Sequence, residues 1–221
     1  MTLNFATKSE YVHNLLKQKI LSGELAMGES ININKIAAEA NVSIIPVREA
    51  LKRLETEGLV EIVPHKGAQV KSFNPEEIKH IFDIRAVLEG LAAKTAIVNM
   101  TKEKFDFLRK MTDQMYIHAK NGDDESFGIE NKEFHRYIYG QSSNRTLYDM
   151  IFNLWEGNWS KAIFAFQPQR MFEAVEEHYE IINAMEEGDE DKTEMLVRQH
   201  KLKTATLFAR IFEEKINSPN I

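Results

Sequence analysis

Four polar side chains fall on otherwise apolar helical stripes in the second half of the chain and could together bind a divalent metal ion. Asn131 and His135 are four residues apart, so they stack on one face of a helix. His178 lies ten residues before Gly188, and His200 lies twelve residues after it. If Gly188 forms the turn of an antiparallel helix pair, the two imidazole rings sit at nearly the same height. Three imidazoles and one amide oxygen could then converge, which is a donor set for a divalent ion such as zinc or nickel.

These histidines also have a plainer interpretation. A single histidine on an apolar stripe is usually a core residue whose ring nitrogens are hydrogen-bonded. Three of them on facing stripes at matched heights make the metal interpretation about equally strong. His13, His80 and His118 show no such convergence, and we expect them to be ordinary surface or interface residues.

Residues 42–70 predict an element that reads DNA. A helix beginning after Ser43 has one apolar face and one face rich in basic residues, although an ordinary surface helix could show the same division. In the major groove, Arg48 could fork onto O6 and N7 of guanine. Lys66 and Gly67 lie at the tip of a following turn, where glycine lets the backbone approach phosphate. The predicted DNA-binding residues are Ser43, Ile44, Ile45, Arg48, Lys52, Arg53, His65, Lys66 and Gly67.

The elements that position these residues follow from periodicity. Helices are predicted over 8–22, 33–40 and from 44 to about 57, followed by alternating strands over 59–63 and 68–72. This order is typical of a winged helix-turn-helix. The rest predicts an all-α six-helix bundle, so the fold class is mainly α. Its helices are expected over 75–98, 101–120, 123–140, 143–167, 169–187 and 190–216, the fourth with a break near Gly157.

The segment 72–77 predicts the boundary between a DNA-binding domain over 1–73 and a helical domain over 74–221, because Asn74 and Pro75 are a typical start of a helix. Net charge also changes there. Residues 1–74 hold nine Lys and Arg against eight Asp and Glu, and the remainder holds nineteen against twenty-six. A near-neutral front and an acidic rear indicate different partners for the two domains.

Composition excludes several functional classes. The 221 residues include no cysteine, which removes disulfides, thiolate metal sites and cysteine nucleophiles. There is no run of 18 apolar residues to span a membrane, and the first residues do not resemble a secretory signal. We therefore expect a cytoplasmic protein.

The run PVREAL, followed by RLETEGLV and a wing ending in KG, resembles GntR-type bacterial transcription regulators. The resemblance implies that Arg48 contacts DNA. The family often has Arg-Thr where this chain has Ile44 and Ile45, and Arg-Gly where it has Lys66 and Gly67. Losing an arginine at position 44 removes one base contact, so the usual operator half-site does not transfer. Either isoleucine could instead contact a thymine methyl group, or simply pack.

Residues 75–221 resemble the FCD ligand-binding domain of the FadR-like branch of these regulators, and their length resembles the VanR-like subgroup. The motifs are IRAVLEGLAA, FHRYIYGQSSNRTL and EEHYEIINAMEEGDEDKTEMLVRQH. The resemblance implies a metal held at the positions of Asn131, His135, His178 and His200, although the family usually has aspartate at the first. It also implies a small carboxylate effector, for which we predict contacts with Arg85 and Asn144. Pairing with Glu89, one turn on, is the alternative for Arg85.

Together these patterns predict a regulator, and a repressor rather than an activator, that binds a palindromic operator as a homodimer. The resemblance implies that it responds to a small carboxylate. Two alternatives remain at this point. One is a metal-dependent hydrolase fused to a DNA-binding module. The chain has no HExxH-type pairing and no glutamate on the stripe beside the histidines, which disfavours an enzyme. The other is a direct metal sensor.

Overall fold

The computed structural model describes residues 7–72, 74–155 and 159–216. The chain divides into two compact units, of which the second spans Asn74–Ile211 and the first takes in the chain before it. Ten α-helices and one two-stranded antiparallel sheet lie within the described residues. The predicted fold class, mainly helical with a hairpin after the N-terminal helices, is confirmed. In the described part of the chain, no helix has the length and apolarity that crossing a membrane requires.

Three helices build the first unit: α1 (Lys8–Ser22), α2 (Ile33–Glu39) and α3 (Ile44–Thr56). The side chains of Thr7 and Asn32 accept backbone N–H bonds at the starts of α1 and α2, which satisfies donors that a helix start leaves free. Helix α3 packs against both other helices. Their shared core contains Val12, Leu16, Ile20, Ile36, Val47, Leu51 and Leu54.

The wing is an antiparallel hairpin of β1 (Val60–Val63) and β2 (Gly67–Val70), each within two residues of its predicted bounds. Gly67 opens β2 with φ +88°, a left-handed conformation that glycine adopts without steric cost. Residues 29–31 lie along the other edge of β2, where Ile31 N–H donates to the carbonyl of Ala68. The wing is thereby tied to the loop between α1 and α2.

From Asn74 onward the described residues form seven α-helices, one more than the sequence predicts. The predicted helix over 143–167 is two helices, and its predicted break at Gly157 lies outside the described residues. Asn74 caps the first of the seven and Pro75 begins it, as expected. The helices are α4 (Pro75–Ala96), α5 (Lys102–Asn121), α6 (Asp124–Tyr139), α7 (Arg145–Leu154), α8 (Trp159–Phe166), α9 (Gln169–Glu186) and α10 (Glu190–Ile216).

Packing in the second unit directs α6, α9 and α10 toward a common interior, to which each contributes one buried histidine. Helix α5 packs against α6 and α9, and α4 packs against α6 and α7. Gly90 lets α4 approach α10 closely, because a Cβ there would lie 3.1 Å from the carbonyl oxygen of Glu194. The apolar stripes that the sequence predicts therefore face one another.

Candidate DNA-binding surface and metal centre

Helix α3 divides into a buried and an exposed face, as the sequence predicts. Its buried residues are Val47, Ala50, Leu51 and Leu54. Every predicted DNA-binding residue on α3 and on the wing tip is exposed, including Arg48 one turn into the helix and Lys66 at the tip. Ser43 occupies the N-cap position in extended conformation, but its side chain makes no capping hydrogen bond. Its hydroxyl is therefore available to another partner.

His13 differs from its expected role as an ordinary surface or interface residue. It is buried on α1, and its Nε2 lies 2.5 Å from Oε1 of Glu57, directly after α3. Burial alone would raise the pKa of Glu57, but His13 and Lys17 more than offset it and lower the pKa. Arg53 also reaches Glu57, at 3.3 Å, so this predicted DNA contact has a partner within the protein. The ionised carboxylate fixes α3 against α1.

The three predicted histidines meet in the second unit. Nε2 of His135 lies 3.1 Å from Nε2 of His200 and 3.3 Å from Nε2 of His178. Each pair of rings has its centroids 5.0 Å apart. All three residues are buried, and their ligand atoms lie within 4.8 Å of one another. The antiparallel pairing of α9 and α10 through Gly188 thus brings His178 and His200 to one level, as predicted.

Hydrogen bonds on the outer sides of two rings fix which nitrogen carries the proton. Glu177 accepts at 2.5 Å from Nδ1 of His200. The hydroxyl of Tyr139 donates to Glu89 at 2.8 Å, so Nδ1 of His135, 3.2 Å from that hydroxyl, must donate to it. Both Nε2 atoms then present lone pairs to each other across 3.1 Å. A cation between them would turn this repulsion into ligation.

Three further observations are compatible with a divalent ion. The side-chain oxygen of Asn131 is buried without a hydrogen-bond partner, although buried carbonyl oxygens normally have one. Two nitrogens that share one tetrahedral zinc ion at about 2.05 Å lie about 3.3 Å apart, close to the observed separations. Burial and then the positive charge of Lys201 lower the pKa of all three histidines well below its usual range. The rings are therefore neutral, which is the form that binds metals.

Glu177 corrects the expectation that no glutamate lies beside the histidines. Its carboxylate holds the outer nitrogen of His200 and accepts from the fully buried Arg170 at 2.5 Å. The contact is made at Nδ1 rather than at the Nε2 face where the three rings meet. Glu177 therefore orients His200, as outer carboxylates commonly do for metal-binding histidines.

A second buried carboxylate, Glu89, has four hydrogen-bond or ion-pair donors around it. Arg85 Nε donates to it at 2.7 Å and Trp155 Nε1 at 2.9 Å. The Tyr139 hydroxyl donates at 2.8 Å, and Nζ of Lys201 lies 3.0 Å away. This is the pairing given as the alternative for Arg85. It links Arg85 to the histidines, because Tyr139 contacts Glu89 on one side and His135 on the other.

Asn144, the other predicted effector contact, is not brought to the histidines. Its side chain caps α7 by accepting from the backbone N–H of Leu147 at 3.0 Å. It lines a separate surface pocket of about 490 Å³ with Lys94, Thr95 and Glu190 among its neighbours. Asparagine before a helix is a strong N-cap, and an effector contact of Asn144 stays a prediction.

Sequence reasoning missed Glu177, Arg170, Tyr139 and Lys201 as parts of the site. Arg170 and Glu177 are seven residues apart, which is about two helical turns. That spacing is the local signal from which their pairing could have been predicted. Tyr139 is likewise one turn after His135. Lys201 carries no such signal, because its partner Glu89 lies on a helix more than one hundred residues earlier.

Comparison with known families decides the assignment. The family model described as bacterial regulatory proteins, gntR family, matches residues 8–70, and the FCD domain model matches residues 80–203, more than half of the chain. The chain belongs to the GntR family. Within this GntR-family regulator, the first model covers α3 and the wing, and the second covers all four candidate metal ligands.

Relatives of this GntR-family protein are regulators too. It is 33% identical to the gluconate operon transcriptional repressor of Bacillus licheniformis over 138 residues, 62% of this chain and 56% of that protein. It is 27% identical to the transcriptional regulator McbR of Escherichia coli over 183 residues, 81% and 83% of the two chains. The solved structure of E. coli McbR aligns with 94% of this chain and with 100% of its own, with a TM-score of 0.60 and 25% sequence identity.

Family membership confirms the prediction that the protein is not an enzyme, because GntR regulators are non-enzymatic DNA-binding proteins. The hydrolase alternative is therefore excluded. The placement in the FadR-like branch is supported by the FCD domain and by the similarity to McbR. The narrower VanR-like assignment stays a prediction.

Proposed function

We propose that this GntR-family regulator is a repressor that binds a palindromic operator as a homodimer in the cytoplasm and releases it on binding a small carboxylate. The proposal rests on the presence, in one chain, of an exposed face on α3 and of a buried histidine cluster in the second unit that could hold a metal ion. The two compact units serve as the DNA-binding and effector-binding domains. Relatives named as operon repressors support the direction of control.

Arg48 is proposed to read a base and Lys66 to hold the wing against the DNA backbone. Both are exposed, one on α3 and one on the wing tip. We expect Arg48→Ala to cost about 1–3 kcal/mol of operator binding and to relax preference at one base pair per half-site. We expect Lys66→Ala to weaken binding to all DNA sequences alike. The slope of the logarithm of the binding constant against the logarithm of salt concentration should fall in magnitude by about one.

These effects are measured by fluorescence anisotropy on duplexes selected from a random library, over a range of salt concentrations. Arg145→Ala is the matched control, since Arg145 is an exposed arginine of the second unit whose partner is Asp149 on the same helix. Unchanged affinity and base preference in Arg48→Ala would contradict the proposed docking of α3.

The homodimer is proposed to form through an apolar stripe on α4. Ile84, Val87 and Leu91 are exposed and follow one another at helical spacing, as does Val98 just beyond the helix. An exposed apolar stripe of this kind marks an interaction surface, and a two-fold contact between identical faces is the commonest way to bury one.

We expect a charge placed on this stripe to dissociate the homodimer. Val87→Glu would put two carboxylates into a desolvated self-contact, and we expect the dimer to dissociate at micromolar concentration, a shift of at least about 100-fold in Kd. Sedimentation equilibrium measures the mass. Phe107→Glu, an equally exposed apolar position on α5, should leave it unchanged. A monomeric wild type, or a dimeric Val87→Glu, would contradict the assigned surface.

The effector site is proposed to lie beside the histidine cluster. A divalent ion held there would supply a positive charge that attracts a carboxylate. Arg85 uses Nε for Glu89, and its planar guanidinium keeps two terminal nitrogens with which it could fork onto an anionic ligand. The three neutral histidines and the neutral Asn131 leave the charge of the ion uncompensated, which favours an anion.

A direct metal sensor remains the second candidate, because the same cluster could itself be the signalling site. Operator affinity titrated with zinc or nickel, in the presence and absence of a panel of small carboxylic acids, separates the two. Release of the operator that needs both the metal ion and a carboxylic acid supports metabolite sensing. Release by the ion alone supports the sensor.

A further inference from the structure

The first turn of α3 presents an isoleucine where the helix faces outward most directly. Ile45 is 68% exposed, against 41% for its neighbour Ile44. A helix turns about 100° per residue, which places Ile45 about 170° from the middle of the buried face formed by Val47, Ala50, Leu51 and Leu54. Ile44 lies only about 70° from that middle and so flanks the core.

The chemistry of this turn suits an approach to DNA rather than stabilisation of the helix. Acidic residues favour the positive end of a helix, yet the first turn of α3 contains none. A carboxylate there would also be repelled by phosphates. Ile45 instead extends an apolar side chain from the face that carries Arg48 and Lys52, both exposed.

The only methyl group on a base edge in the major groove is the C5-methyl group of thymine. Ile45 and Arg48 are three residues apart, so their Cβ atoms lie about 5–6 Å from each other. Base pairs are stacked about 3.4 Å apart. The two side chains therefore reach base pairs one or two steps apart.

We propose that Ile45 is a specificity-determining residue that packs on the methyl group of a thymine one or two base steps from the base read by Arg48. This inference rests on the proposed DNA-binding function and adds the base preference to it. It assigns an A·T pair to that position in each half-site. It also separates the two isoleucines, giving Ile45 the base contact and Ile44 a packing role.

The test removes the methyl group alone. The full-length protein first selects duplexes from a random library, and each thymine of the enriched sequence is then replaced by uracil in turn. At one thymine per half-site we expect uracil to lower affinity about fourfold, the equivalent of exposing one methyl-sized group. Ile45→Ser should bind the thymine and uracil duplexes equally. The exposed position of Ile45 means that this change leaves the fold intact, which circular dichroism checks.

Ile62→Ser is the matched control, because Ile62 is an exposed isoleucine on the wing strand β1. It should keep the fourfold difference. The inference is overturned if no thymine methyl affects binding, or if Ile45→Ser retains the full difference. A selection that enriches no sequence would overturn the proposed function as well, whereas sequence-specific binding that ignores every methyl would overturn the role of Ile45 alone.

Discussion

We expect His178→Ala to abolish uptake of a divalent ion by this protein. Wild type stripped of metal should take up one zinc or nickel ion per chain at micromolar concentration and neutral pH, because three neutral imidazoles converge. Loss of one ligand should cost more than the 10- to 100-fold typical of losing an outer partner. Elemental analysis of untagged protein, followed by calorimetric titration, measures both stoichiometry and affinity.

His118→Ala is the control for this experiment. His118 lies near the end of α5, where its partners are Gln114 and Asp123, and its loss should leave metal uptake unchanged. Asn131→Asp works in the opposite direction. A carboxylate would add a negative charge to an otherwise neutral ligand set, so metal affinity should rise roughly tenfold or more. If stripped wild type bound no ion, the three histidines would be hydrogen-bonding residues of an effector pocket.

The second large effect is expected at Glu89. Glu89→Gln removes the negative charge shared by Arg85 and Lys201 and leaves two buried cations without compensation. Breaking a buried ion pair from one side costs about 3–5 kcal/mol, and we expect a loss of that size in the free energy of unfolding. Urea denaturation followed by tryptophan fluorescence measures it. Both tryptophans, at positions 155 and 159, belong to the second unit, so the signal reports that unit.

The pH dependence of this effect follows from the pKa of Glu89. Burial alone would raise it, but Arg85 and Lys201, with hydrogen bonds from Trp155 and Tyr139, lower it to about 2. A carboxyl whose pKa is depressed in the folded state stabilises the protein above its unfolded pKa, and the stabilisation is lost as pH falls toward the folded value. The difference between wild type and Glu89→Gln should therefore be full at pH 6 and should shrink below about pH 4.

A surface carboxylate provides the comparison. Glu186 pairs with Arg109 where both side chains are about one-third exposed, so Glu186→Gln should change stability by less than about 1 kcal/mol at any of these pH values. An equally small effect of Glu89→Gln would show that the four donors around Glu89 do not stabilise the fold.

Much of the architecture was predictable because its causes are local. The helices of the first unit follow from apolar residues at helical spacing, the start of α4 follows from Asn74 and Pro75, and the hairpin follows from alternation around a glycine turn. The burial of Val47, Ala50, Leu51 and Leu54 is a property of one helix face. The convergence of His178 and His200 needed one assumption, a turn at Gly188, and that turn has the positive φ expected of glycine.

The sequence by itself determined that the chain has a winged helix-turn-helix, a helical bundle and histidines on apolar stripes. Only the tertiary structure decided which side chains surround those histidines. No local pattern marks Lys201 as buried, and it is buried with Glu89 because helices α4 and α10 bring opposite charges together from distant parts of the chain. Periodicity records which face of a helix is apolar, but an ion pair between helices depends on their relative placement, which no local pattern contains.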